Sequence, residues 1–296
     1  MNGTNSTITI TFGDVAENHA GMEKIGDLQN SGFTMTELGF IGSYMQQLGQ
    51  TVEFVDLTIP LRNTIHAQTE TSQLSENQRI SLQSFSDEAG ILIIRKGVDF
   101  LLSKSNNPRD GSIMNCNSLL GEISSLSFDT KALMRGRVVN KHARHNLCFG
   151  DYYRPSNVEN GQGTIISFND VPNLHSLRWL LQQMCNSLAS RCPKLPSKVS
   201  RLVAEGNYYY DINKCGIGYH GDSERRIVIG VRLGAAMPLV YQWYLDNKAI
   251  GEKLVFNLEH GDIYFMSNKA VGTDWKKRKI PTLRHAAGCA KYTMLN

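Results

Sequence analysis

An α+β fold is what this 296-residue sequence predicts, an α/β region at the N-terminal end followed by a β-rich unit. Three observations carry that prediction. β-branched runs alternate with a helical pattern in the first hundred residues, one amphipathic helix lies past the middle, and the final third is a succession of short β runs.

The runs "TITITF" (residues 7–12), "TVEFVDL" (51–57) and "GILIIRKGV" (90–98) are rich in β-branched residues and bounded by Gly, Asp or polar turns. Between the first two, "MTELGFIGSYMQQLG" places apolar residues at helical spacing and stops at Gly49. "FGDVAENHAGM" reads as a loop, and His19 in it as a cap or surface residue, since one histidine makes no site. "SKSNNPRDGS" (103–112) is turn chemistry and marks a break. Two units are therefore expected: an α/β region at 1–110 whose role is not legible, and a second domain at 130–296. After Pro172, "NLHSLRWLLQQMCNSLASRC" is an amphipathic helix stopped by Pro193. "KVSRLVAEGNYYYD", "RRIVIGVRLG", "MPLVYQWYLD", "KLVFNLEHGDIYFMS" and "TLRHAAG" then predict consecutive strands, hence a sandwich or barrel.

Composition narrows the function. Hydrophobic residues at 41% and charged residues at 20% are those of a soluble globular protein. No apolar stretch is long enough to span a bilayer, so no membrane partner is expected. The opening residues lack a basic start and an apolar signal core, which predicts an intracellular protein, cytoplasmic or nuclear. Six cysteines without a C-x-x-C pair predict reduced, mostly buried thiols and exclude a zinc knuckle or a disulfide framework. A net charge of +4 tolerates nucleic acid as a partner without requiring it.

"YYYDINKCGIGYHGDSERR" (208–226) holds the candidate chemistry. Residues two apart on a strand share a face, so His220 and Asp222 point the same way, as two ligands of one ion must. The alternative is two polar residues on an exposed strand edge. Two histidines and a carboxylate on one face leave three positions open around octahedral Fe(II), room for a bidentate co-substrate and dioxygen. The second histidine is His260 in "LEHGDIY" or His285 in "TLRHAAG". His260 opens a tight turn, where it faces outward or braces the turn. His285 ends a β run 63 residues past Asp222, a gap that carries several strands around a barrel and returns the chain to the H-x-D strand.

From about Arg135 to its C-terminal end the chain resembles the Fe(II)/2-oxoglutarate-dependent dioxygenases, and within them the AlkB-like branch. The resemblance lies in the order and spacing of "ARHNLCFGDYY", a helix, Asn207 and Tyr209 as Asn-x-Tyr, His220 and Asp222, "IGVRLG", and "HGDIYFM". It implies a double-stranded β-helix (jelly-roll) catalytic core, with His220, Asp222 and His285 as iron ligands and Asn207 and Tyr209 hydrogen-bonded to 2-oxoglutarate. It also implies that Glu224, just past the H-x-D, reads the substrate. Two features depart from the branch. "TDWKKRK" follows the "HGD" strand where an aromatic-histidine pair is expected, and only eleven residues follow His285. Lys291 is the sole cation among those eleven and would contact the distal carboxylate of 2-oxoglutarate, with Arg232 and Arg284 as alternatives.

The resemblance further implies oxidative decarboxylation of 2-oxoglutarate to succinate, with dioxygen consumed and a substrate C–H bond oxidised. A modified or methylated nucleobase is the leading expectation, with DNA or RNA as partner. "KALMRGRVVNKHARHNLCFG" (131–150) carries Lys131, Arg135, Arg137, Lys141 and Arg144 without an acidic residue, as a phosphate-contacting stretch would. Arg144 is a candidate substrate contact through phosphate, and Asn146, Phe149 and the following Tyr152 and Tyr153 are candidates for stacking on or bonding an everted base. The alternatives are a hydroxylase of an amino acid, peptide or small metabolite, and an inactive binding module on a dioxygenase fold.

Overall fold

The computed structural model describes residues 5–68, 75–109 and 111–295. In chain order, β1 (Thr7–Gly13), β2 (Val15–Asn18) and β3 (Glu23–Gly26) precede α1 (Met35–Gln47), β4 (Val52–Asp56), α2 (Ile59–Gln68), α3 (Glu76–Gln83) and β5 (Gly90–Ile94). Then come α4 (Gly97–Leu102), α5 (Cys116–Ser124), β6 (Lys131–Met134), β7 (Arg137–Asn140), β8 (His145–Gly150) and β9 (Ile165–Ser167). α6 (Pro172–Asn186), α7 (Leu195–Val199), β10 (Val203–Tyr209), β11 (Gly216–His220), β12 (Ile229–Gly234) and β13 (Met237–Leu245) follow. The chain closes through β14 (Lys248–Leu258), β15 (Ile263–Met266), α8 (Asn268–Val271), β16 (Thr282–Gly288) and α9 (Ala290–Thr293).

An eight-stranded sheet, ordered β4-β5-β15-β12-β1-β10-β8-β9, is antiparallel except for the β8–β9 pair. A four-stranded sheet, β11-β16-β13-β14, lies against it. Period-2 alternation explains how the large sheet buries both faces. On β1, Ile8, Ile10 and Phe12 pack with Leu38 and Ile41 of α1, Leu119 of α5 and Leu177 of α6. Thr9 and Thr11 turn to the opposite face, toward the small sheet. β5 reads "GILII" because both its faces are covered: Leu92 and Ile94 meet the helices, Ile91 and Ile93 the small sheet. A helix layer, a large sheet and a small sheet result. A capping box between Thr34 and Glu37 fixes where α1 begins.

The segment expected as a loop, "FGDVAENHAGM", is instead a hairpin, with β2 and β3 paired from Val15–Gly26 to Asn18–Glu23. Its polar sequence hides this, because the pairing is stabilised from outside: Ala16 and Ile25 pack with Cys148 and Ile165 of β8 and β9. β1, β4 and β5, all from the first hundred residues, share one sheet with strands of the C-terminal half. Five of the six cysteines are buried and all six are unbridged.

Candidate functional site

His220 and His285 are cross-strand partners on β11 and β16. The β11 register shifts between Ile217 and His220, an irregularity of the kind that re-aims a side chain. Asp222 lies two residues past the end of β11, where its N–H donates to the Val271 carbonyl at 2.9 Å. Gly221 permits that approach, since a Cβ there would stand 2.0 Å from the Gly272 carbonyl oxygen. Asp222 Oδ1 is 3.4 Å from His220 Nε2 and 3.6 Å from His285 Nε2. One ligand atom from each of the three residues falls within 4.8 Å of the others.

The protonation states suit a cation. His220 Nδ1 lies 2.8 Å from the Gly218 carbonyl oxygen, a contact that orients the ring with Nε2 toward Asp222 and the site. Burial, and then the neighbouring His220, lower the pKa of His285 and favour neutral imidazole. Burial opposes the charge of Asp222, but Arg225, His285 and the two histidine contacts outweigh it and hold the carboxyl well below its ordinary range. Arg225 is itself enclosed, with Nη2 donating to Glu205 Oε2 at 2.7 Å and Nε 3.8 Å from Asp222 Oδ2.

A cavity of about 510 Å³ opens beside the triad, lined from both sheets. At one end Arg232 is 1% exposed, its Nη1 donating to Thr9 Oγ1 at 2.6 Å and its Nε without a partner. It makes no ion pair among the described residues. Burial lowers its pKa, as expected of a cation with no carboxylate beside it. Tyr209 and Tyr264 line the same end. Tyr264 lies across its strand partner Gly230, where a Cβ would stand 1.9 Å from the ring. The other wall carries Glu17, His19, Arg144, Glu205 and Glu224. Glu205, 2% exposed, receives His19 Nε2 at 2.8 Å and Asn207 Nδ2 at 2.9 Å. Burial opposes its ionisation, and His19 and Arg225 reverse that, placing its pKa far below the ordinary value.

Of the residues singled out in the sequence, His220, Asp222, His285, Asn207, Tyr209, Arg232, Arg144 and Glu224 line this cavity together. Asn207 Oδ1 accepts from Arg144 Nε at 2.7 Å and from Asn146 Nδ2, so Asn146 sits behind Asn207, buried. Lys291 does not line the cavity: it is exposed on α9, above the Tyr292 ring. Arg284 neighbours His285 on a strand and so faces the other way, bonded to Asn247 and stacked on Tyr244. Tyr152 is 51% exposed in the loop after β8, away from the cavity lining. His260 braces its turn, with Nδ1 accepting from the Gly234 N–H at 3.0 Å. His19, read from sequence as a cap or surface residue, is part of the cavity wall. Glu205, Arg225 and Glu17 were missed as well. Glu205 carried a signal, since it precedes Asn207 and Tyr209 by steps of two on one strand.

No protein-family profile matches the chain. Among curated proteins it is similar to "Uncharacterized protein R156" of Acanthamoeba polyphaga mimivirus, 44% identical over 292 residues that cover 99% of each chain. The chain belongs to the family of that viral protein.

Proposed function

We propose that the protein is an Fe(II)- and 2-oxoglutarate-dependent dioxygenase on a double-stranded β-helix core, oxidising a C–H bond of a modified or methylated nucleobase. One observation carries the reading: two histidines and an aspartate converge in a cavity that also holds a buried, uncompensated arginine. Two imidazoles and a carboxylate fit Fe(II) and leave open positions. A structural zinc site would close its fourth position with a further Cys or His, and none joins this cluster among the described residues. Arg232 fits the distal carboxylate of a dicarboxylate whose other end reaches the metal, since a buried guanidinium gains most from a bidentate anion. Bound there, iron and 2-oxoglutarate supply the oxidising chemistry, with succinate and carbon dioxide as products. The chain's own residues do the rest. His220, Asp222 and His285 hold the ion, Arg225 orients Asp222, Arg232 and Tyr209 seat the co-substrate, and the cavity walls position the substrate carbon.

The β6–β7 hairpin supports a nucleic-acid substrate. Its turn puts both Arg135 and Gly136 at positive φ, a two-residue turn that presents Lys131, Arg135 and Arg137 to solvent. It is tied to the cavity wall by the Leu133 N–H, which donates to the Ala20 carbonyl at 2.6 Å, next to His19. The deciding experiment is Fe(II)-dependent 2-oxoglutarate turnover, scored as succinate release with panels of nucleic acids and metabolites. His220→Ala, Asp222→Ala and His285→Ala are each expected to abolish it while the fold persists. Succinate release unchanged in these variants discards the reading.

A further inference from the structure

Glu17 stands on β2 with 8% of its surface exposed and lines the cavity. Among the described residues no donor hydrogen-bonds its carboxylate, and the nearest basic nitrogen in contact is His19 Nδ1 at 3.9 Å. Two neighbouring basic groups of the wall are already engaged. His19 Nε2 is bound to Glu205, and the Arg225 guanidinium serves both Glu205 and Glu224. Burial, then the charge of Glu224, push the pKa of Glu17 up, and His19 and Arg225 only partly offset them. On the other side of the same imidazole, Arg144 Nη2 is 3.4 Å from His19 Nε2. Arg144 makes no ion pair among the described residues, and its Nε is spent on Asn207. Among the described residues, a carboxylate without a hydrogen-bond donor and a guanidinium without an ion pair thus flank one ring and face one cavity.

We propose that Glu17 reads a nitrogen donor of the substrate, an amino or ammonium group, while Arg144 takes an anionic group of the same molecule. The inference rests on the dioxygenase reading for the identity of that ligand as substrate. Two sources share the chemistry: a nucleotide, through its exocyclic amine and phosphate, and an amino acid, through its ammonium and carboxylate. A desolvated carboxylate discriminates strongly here. A hydroxyl or carbonyl in place of the amine leaves Glu17 buried with a poorer donor or none.

The test is calorimetric titration of the protein loaded with Mn(II) and 2-oxoglutarate, using two pairs of probes. Adenosine monophosphate is compared with inosine monophosphate, and leucine with its 2-hydroxy acid. The amino member of at least one pair is expected to bind tighter by about tenfold or more, as for a hydrogen bond to a charged group. Glu17→Gln, which offers an amide N–H in place of a bare carboxylate, is expected to remove or invert that preference. Arg144→Met is expected to weaken both members of the pair alike. Preference in the nucleotide pair alone assigns a nucleotide, and in the amino-acid pair alone an amino acid. Equal binding within both pairs, no binding by any of the four, or a preference that survives Glu17→Gln overturns the inference. Binding of 2-oxoglutarate to the Mn(II)-loaded protein is followed in the same series. Its absence beside an intact amino preference discards the dioxygenase reading and keeps the Glu17 site.

Discussion

Arg232 and Lys291 show how residue type underdetermines role. Both are cations near the C-terminal strands, yet one is enclosed in the cavity and the other exposed on α9. Arg232→Met is therefore expected to raise the apparent 2-oxoglutarate requirement by about a hundredfold, the loss expected of a charge-assisted bidentate contact, with little change in metal affinity. Lys291→Met is expected to leave the requirement unchanged. Titration of 2-oxoglutarate into each metal-loaded variant checks both. Gly221 is as constrained as the ligands it separates. Gly221→Ala forces a Cβ against the Gly272 carbonyl, so Asp222 must shift, and metal affinity is expected to fall by about tenfold or more, as when outer-shell support of a ligand is lost. Competition with a chelator reads that loss, and His260→Ala serves as the comparison with unchanged affinity.

The elements decide what the residues meet. The H-x-D motif was legible as a pair, but not through the strand alternation expected of it. β11 ends at His220, and Asp222 reaches the site from the turn beyond, held by its N–H on the Val271 carbonyl. The third ligand needed the β11–β16 pairing, which no local pattern encodes. The β2–β3 hairpin was hidden for the same reason: its polar strands are held by neighbours distant in sequence, so His19 read as a cap or surface residue and Glu17 was missed. The β6–β7 hairpin yields a quantitative expectation. If Lys131, Arg135 and Arg137 contact phosphates, binding to a single-stranded oligonucleotide must weaken with salt through counterion release. Replacing all three with glutamine is expected to flatten the logarithmic salt slope by about 2, near 0.7 per phosphate contact. Oligonucleotide-independent 2-oxoglutarate turnover is expected to persist, since the three side chains are exposed and outside the cavity lining. Binding across a salt series checks this, and no oligonucleotide binding at low salt favours a metabolite substrate.

At the scale of the molecule, the large sheet joins strands of the first hundred residues to strands of the C-terminal half. β1 lies between β10 and β12, so a chain beginning at residue 130 lacks the strand that bridges the cavity wall to Arg232. Such a chain is expected to be unfolded or insoluble, and circular dichroism with size-exclusion chromatography decides it. The buried Glu205–Arg225–His19 cluster adds a pH dependence. The folded-state pKa of Glu205 lies below its ordinary 4.5, so its contribution to stability is present above that value and is lost as pH falls through 4.5 toward the lower one. Urea unfolding of wild type and Glu205→Gln is expected to differ most near neutral pH and to converge in acid. At neutral pH the variant leaves Arg225 short of its closest counter-charge, a loss of about 3–5 kcal/mol if the pair breaks fully.

The strands of β1, β4, β5, β10 and β12 and the helices α1 and α6 were determined locally, because alternation, helical spacing and turn residues act within a few positions. The same local rule placed His285 on a strand, turned its neighbour Arg284 to the opposite face, and put Glu205, Asn207 and Tyr209 in one row. Tertiary structure alone decided the rest: that β1 enters the middle of the large sheet, that His220 faces His285, and that Arg232 lies in the cavity while Lys291 remains in solvent. Those outcomes depend on strand order and on which face another layer covers. They are settled by long-range burial and pairing, whose free energy is distributed over residues far apart in the chain.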